Sequence, residues 1–271
     1  MSTVVHGRAG VAAESAPGFG WWLVHPLTLR LLSVVLVLGG WEYAGRVPIS
    51  PAFPTFLETL RAALGMIADG SLPRALLVTL EPLAIGLAIS GVLGVAMGVA
   101  MGLNRVFEWF FTPIFVVMQS APLAALIPLL VFAYGIGLTS KVLTVCIMAM
   151  PVIVLNAYGA VRHTPASLIE MGTSFLGTRR QLIANIVLPS ASPIIFAGLR
   201  LGAAAGFIGA ILAELLITPT GIGDLITYNQ SIADYPKMYA AIASVILFSV
   251  LFIEFLEWLE LRLFRPDKRA A

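Results

Sequence analysis

Long apolar runs separated by short polar ones organise this 271-residue chain. A helix needs roughly 20 mainly apolar residues to cross the hydrocarbon core of a bilayer. Six stretches approach or exceed that length, at about 27–44, 76–103, 110–134, 142–161, 194–217 and 238–259, the first being the least uniform. Between the first two, the run Pro48-Ile-Ser-Pro-Ala-Phe-Pro54 breaks helices repeatedly. Residues 56–68 then predict an amphipathic helix lying on the membrane face, with Glu58, Arg61 and Asp69 toward water. The organisation expected is a flexible tail over 1–26, a transmembrane domain over 27–264 and a short tail over 265–271. The first twenty residues are too polar and too rich in Pro and Gly for a cleavable signal peptide.

Lysine and arginine near the spans set orientation. One set of connections holds Arg8, Arg30, Arg105, Arg162, Arg179, Arg180, Arg200, Arg262, Arg265, Lys268 and Arg269, and the opposite set Arg46, Arg61, Arg74, Lys141 and Lys237. The richer set places both termini and the loop after the fourth span in the cytoplasm. Composition agrees with a membrane protein: 59% of residues are hydrophobic and 11% charged, too little charge to cover a soluble domain. A net charge of +2 gives no reason to expect nucleic acid as a partner. The single cysteine, Cys146, lies in an apolar run and reads as a buried inert thiol. The fold class is all-α and polytopic.

Small residues recur every fourth position in two spans: Gly86, Ser90, Gly94, Gly98 and Gly102 in the second, and Gly198, Gly202, Gly206 and Ala210 in the fifth, which ends near Glu214. Such rows let helix backbones approach closely in lipid. They predict packing within one subunit or, for the fifth span, room beside a translocation path as well.

The connection 162–192 is the longest on the cytoplasmic side and carries its own signals. Thr164-Pro165 predicts an N-cap followed by proline in the first turn. A short helix is expected over 166–176, a break at Gly177-Thr178, and a second helix over 179–188 that Pro189 and Pro193 end. Leu168, Ile169, Met171, Phe175, Leu182, Ile183, Ile186 and Val187 fall on apolar faces, leaving Glu170, Arg179, Arg180 and Gln181 for polar contact. An ordered, partly apolar loop outside the membrane either docks on a partner or packs on its own helix ends.

The stretch Glu170-Met-Gly172 followed by Ile186-Val-Leu188-Pro189 resembles the EAA motif of binding-protein-dependent ABC importer permeases. Glu170, Ile186, Leu188 and Pro189 fall at the motif's spacing. Met171 and Gly172 replace its alanines, and its glycine position holds Leu176 with Gly177 one residue late, which predicts a turn shifted by a residue. Residues 48–54, Ala124-Ala-Leu-Ile-Pro128, Tyr134-Gly-Ile-Gly-Leu-Thr-Ser-Lys141, Gly198-Leu-Arg200, Ala213-Glu214 and Gly221-Ile-Gly223 resemble the nitrate, sulfonate, taurine and bicarbonate branch. The resemblance implies the type I importer transmembrane fold in the inner membrane. It also implies separate ATPase subunits as partners, an external substrate-binding protein and a second permease copy. Glu170, Met171, Gly172, Leu176, Gly177, Arg179 and Arg180 would make the ATPase-coupling contact, and Ile186, Leu188 and Pro189 would fix the loop against the fifth span.

No Gly-x4-Gly-Lys-Ser/Thr phosphate loop occurs, so ATP hydrolysis is expected on another chain, with no enzyme activity and no resident cofactor here. His6, His25 and His163 are scattered, without metal-ligand spacing. Inside the spans, Gln119, Ser120 and Asn156 lie deep enough to line a polar path, and Gln119, Asn156, Gly202, Gly206 and Glu214 are its candidates. For Gln119, Ser120 and Asn156, a bond to a neighbouring helix is the commoner use of such a side chain. Glu81 and Glu214 lie near outer span ends where water reaches, Arg200 marks the cytoplasmic interface, and Trp109 and Trp258 fit interfacial anchors. An ion-coupled secondary transporter, with Glu81 and Glu214 as proton or sodium sites, is the alternative.

Overall fold

The computed structural model describes residues 26–47, 50, 52–217 and 219–264. The expected tails, apart from Pro26, lie outside the described residues, as do Pro48, Ile49 and Pro51 of the proline run. The described residues are helical and divide into two compact units, residues 1–57 and 58–271.

In the first unit, α1 (Pro26–Arg46) opens on a proline, whose missing N–H has no partner to lose at a helix start. Its C-terminal turn is tied to the chain that follows. Trp41 Nε1 donates to Pro54 O at 3.1 Å. Glu42 accepts from Leu57 N–H at 3.0 Å and from Arg46 Nε at 2.8 Å. Gly45 meets the backbone of Thr55 so closely that a Cβ there would lie 2.7 Å from its Cα.

In the second unit the helices are α2 (Phe56–Ala68, its first two residues in the first unit), α3 (Ser71–Leu103), α4 (Arg105–Ser120), α5 (Leu123–Tyr134), α6 (Leu138–Arg162), α7 (Ala166–Ser174), α8 (Arg179–Leu216), α9 (Gly221–Ser231) and α10 (Tyr235–Phe264). Helix α2 is amphipathic as expected, burying Thr59 and Met66 while Glu58 and Arg61 stay exposed. Among the described residues α3, α6, α8 and α10 are long and apolar enough to cross a membrane, and α4 with α5 makes a fifth if the pair is one span. Helix α1, which carries Arg30, Glu42 and Arg46, is not among them.

Two expectations are corrected. The span at 110–134 is not one helix but α4 and α5, bent by 104°. Pro122 has no N–H to donate and pushes the residue before it out of the helical region, and Ala121 is extended (φ −67°, ψ 133°). Conversely, Pro189 and Pro193 do not end a helix: α8 runs through both for 38 residues. A π segment over Ile183–Val187 carries the chain past the first proline, with Leu188 N–H donating to Ile183 O five residues back. A ladder that must lose one bond at Pro189 is thus rerouted one residue early.

The glycine rows make the core. Helix α6 is packed between α3 and α8, and its most apolar stretch is half buried. On the α3 side, a Cβ on Gly86, Gly98 or Gly102 would lie 2.6 Å from Val145, 2.5 Å from Val154 O or 2.6 Å from Val161. On the α8 side, Gly198 faces Asn156, Gly202 faces Ile153 and Gly209 faces the Thr144 carbonyl. Any side chain at these positions would hold the helices apart. Cys146 is buried in this seam, its thiol toward Gly86 O.

Candidate functional site

Two regions answer to the residues singled out from the sequence: the turn joining α7 to α8, and the polar positions inside the helical unit.

Helix α7 starts at Ala166, with Pro165 in the capping position. Thr164 does not cap it; its hydroxyl turns back to Val161 O at 3.0 Å, and the extended ψ of Pro165 (127°) carries the chain past it. At the other end the helix closes in a Schellman arrangement, Gly177 N–H donating to Gly172 O at 3.1 Å and Leu176 N–H to Thr173 O at 2.9 Å. That closure needs one left-handed residue. It is Leu176, at φ 56°, and not Gly177, so the shift of the turn by one residue does not occur. Gly177 serves a separate need, since a Cβ there would lie 2.9 Å from Gly172 O. Gln181 Oε1 then accepts from the Thr178 N–H and hydroxyl at 2.8 and 2.9 Å, opening α8 at Arg179.

Gly172 is buried because a Cβ on it would run into Leu182 and Ile186, so α7 lies flat on the start of α8 through a glycine. The opposite face is open. Glu170, Met171, Arg179 and Arg180 are exposed, with Phe175 at 82% and Leu176 at 92%. Ile186 and Leu188 are half-buried and Pro189 is exposed. The residue that fixes the segment to the span bundle is Val187, buried with Ala157, Ala160, Val161, Ala191 and Ile195. Sequence reasoning placed Val187 on an apolar face but gave it no role. Its four-residue spacing to Ala191 and Ile195 was the available signal.

Of the candidate path residues, most are absorbed by packing. Gly202 lies against Ile153 and Gly206 against Leu87, while half-buried Asn156 donates to Val152 O at 2.8 Å. Glu81 is exposed, as expected. Glu214 does not lie at an exposed span end; it is 1% exposed, with Gly221 and Gly223 of α9 against its side chain. Its Oε2 accepts from Thr79 Oγ1 and from Gly223 N–H, both at 3.0 Å, and Thr79 Oγ1 accepts from Ile222 N–H at 3.0 Å. Gly221, at φ 67°, lies under the carboxylate, and a Cβ there would sit 2.6 Å from the Thr79 hydroxyl. Buried Lys141 donates to Thr220 Oγ1 beside this cluster. Glu214 thus pins the start of α9 to α3 and α8. Gln119 and Ser120 are exposed at the α4–α5 bend.

Ion pairs that sequence reasoning missed join helices at the arginine-rich end. Arg200 pairs with Glu260 at 2.7 Å and Glu257 at 3.7 Å, linking α8 to α10. Glu108 accepts from Tyr158 at 2.7 Å and faces Arg162 at 3.9 Å, linking α4 to α6. Trp109 is exposed on α4, and on α10 the Arg262 guanidinium lies 5.0 Å from the centre of the Trp258 ring.

Comparison with known proteins bears on the family and the fold. The family described as "Binding-protein-dependent transport system inner membrane component" matches residues 90–265. A putative aliphatic sulfonates transport permease protein, SsuC of Bacillus subtilis, is 24% identical over 94% of this chain and 92% of its own. The taurine transport system permease protein TauC of Escherichia coli is 28% identical over 85% and 86%. The riboflavin transport system permease protein RibX of Chloroflexus aurantiacus is 33% identical over a stretch that spans 54% of either chain. Among solved structures, an inward-facing form of the MetNI methionine ABC transporter shares the fold. It has a TM-score of 0.54 and 20% identity over 70% of this chain and 95% of the other.

Proposed function

The chain belongs to the binding-protein-dependent transport system inner membrane component family, and from that we propose that it is the permease subunit through which an ATP-driven importer moves a small solute. The likeness to sulfonate and taurine permeases supports a small sulfonate-like organic molecule as cargo. An ATPase and an external substrate-binding protein are the partners such a subunit requires. A second copy of this chain completes the pore.

One observation carries the reading: the turn at 170–189 is closed by its own hydrogen bonds, yet it holds Phe175 and Leu176 almost fully in solvent. Exposed apolar side chains on an ordered turn outside the spans favour a docking partner. The turn continues into α8 without a break and is seated on α3 and α6 by Val187. A push on the turn therefore reaches the spans as a rigid-body shift. Hydrolysis itself is assigned to the partner.

The test is co-purification of the ATPase subunits with full-length permease carrying Glu170→Arg or Phe175→Asp. Membrane insertion should persist while ATPase recovery and uptake fall together. Full recovery and full uptake in both variants would remove the turn as the coupling site.

A further inference from the structure

We propose that Lys141 and Glu214 are positioning residues of the transport step: they clasp the start of α9 until the outer ends of the spans part, and then pair with each other. The proposal rests on the permease reading above. Both side chains are buried within this one chain, Lys141 at 6% exposure and Glu214 at 1%, so the clasp is complete without a second copy.

Buried opposite charges ordinarily meet, because each is costly to desolvate and their attraction is strongest where water is excluded. Here they do not. No ion pair within 4.0 Å joins them, and among the described residues Glu214 Oε1 has no hydrogen-bond partner. An orphaned oxygen on a buried carboxylate calls for a reason. What each charge has instead is neutral and comes from one short stretch, residues 220–223. Lys141 Nζ donates to Thr220 Oγ1. The backbone of Gly221, left-handed at φ 67°, lies against Oε1, where a Cβ would collide with it. Gly223 N–H donates to Oε2 at 3.0 Å. Thr79 of α3 completes the set: its hydroxyl lies 3.0 Å from Oε2 and 3.1 Å from Ala75 O, and accepts from Ile222 N–H at 3.0 Å. Glu81, the other carboxylate near the ammonium, lines a cleft with Lys141 and Thr220 but is exposed and not paired with Lys141.

Lifting residues 220–223 gives up these neutral holds and returns one buried ion pair. The start of α9 therefore has two positions in which both charges are satisfied, which is what a switching element needs. The clasp also sits where the spans must move. Helix α8 runs unbroken from Arg179 at the docking turn to Leu216, and Glu214 is two residues from that outer end. Thr79 belongs to α3 and Lys141 to α6. A shift of α8 against either helix, driven from the docking turn, pulls Glu214 from Thr79 or Thr220 from Lys141. The direct pair then replaces what is lost.

The experiment follows amide hydrogen exchange across residues 219–226 in the full chain assembled with its ATPase in lipid nanodiscs, without nucleotide and after trapping with ATP and orthovanadate. The Ile222 and Gly223 amides report the clasp directly. In the unmodified chain they should exchange several-fold faster once trapped. Glu214→Gln keeps an acceptor for Gly223 N–H but leaves Lys141 no charge to meet, so protection should persist on trapping. Lys141→Met should likewise show no rise, whereas Glu81→Gln should leave the rise intact. Protection unchanged by trapping in the unmodified complex, with the trapped nucleotide retained, would overturn the clasp. A full rise in either Glu214→Gln or Lys141→Met, or its loss in Glu81→Gln, would overturn the pairing of Lys141 with Glu214. An unmodified chain that neither retains the ATPase nor supports trapping would instead count against the permease reading, whatever the exchange.

Discussion

Leu176 holds the left-handed position that closes α7, a conformation that costs an L-residue other than glycine roughly 1–2 kcal/mol. Leu176→Gly should therefore stabilise the turn by up to about 1 kcal/mol, after the larger entropy that glycine loses on folding. The same change removes the most exposed large apolar side chain of the turn. A higher melting temperature of the isolated permease with weaker ATPase capture is the expected pair of results; stabilisation with undiminished capture would leave Leu176 no part in docking. At the buried cluster, Glu214→Ala leaves the Gly223 N–H without its acceptor and the Thr79 hydroxyl with Ala75 O alone. The expected loss is about 1–3 kcal/mol, whereas Glu214→Gln keeps a carbonyl acceptor and should lose much less, as thermal unfolding in detergent would measure. These two sites also mark where the sequence was illegible. Glu214 looked hydrated because its depth was counted along one helix, and the mixed polar run that becomes α9 gave no sign of folding over it. Leu176 looked like a displaced glycine because residue type, and not the closure of the helix, was the guide.

Among the elements, the α3–α6 seam was readable from glycine spacing, since small residues every fourth position have few uses other than close approach. Not all helical glycines share that use. A Cβ on Gly98 would lie 2.5 Å from Val154 O, while one on Gly159 meets nothing within 4 Å. Gly98→Leu should overpack the seam by about 1–3 kcal/mol or abolish assembly. Gly159→Ala should be neutral or stabilising by about 0.5–1 kcal/mol through helix propensity. Size-exclusion profiles and melting curves of the two variants distinguish these outcomes. The α4–α5 bend was hidden for the opposite reason: hydropathy stays high across Pro122, and only the missing N–H interrupts the helix. In α8 the sequence pointed the wrong way, because two prolines near a helix start read as an end when a π turn can lead into them.

For the whole molecule, apolar surface is unevenly covered. The most apolar stretch of α6 is 50% buried and that of α10 only 11%, so α6 is an interior helix and α10 faces lipid or another chain. Full-length permease in mild detergent should run as a dimer by light scattering, and a strictly monomeric mass in complex with the ATPase would contradict the paired pore. The tie between Arg200 and Glu260 crosses from α8 to α10, and Arg200→Met should lower the melting temperature of that assembly by leaving a buried carboxylate unpaired. Because α8 passes from the docking turn to Glu214 with one widened turn at Ile183–Val187, the compass bearing of Phe175 and Leu176 around the rod is fixed by a residue count. The widened turn takes up one residue more than ordinary winding would, so removing Asn185 should restore that winding and leave the face that carries Phe175 and Leu176 nearly where it is, with ATPase capture kept. Removing Ile194 instead, from ordinary winding, should swing that face by about 100°, one residue's share of a 3.6-residue turn, so that the spans remain and capture fails.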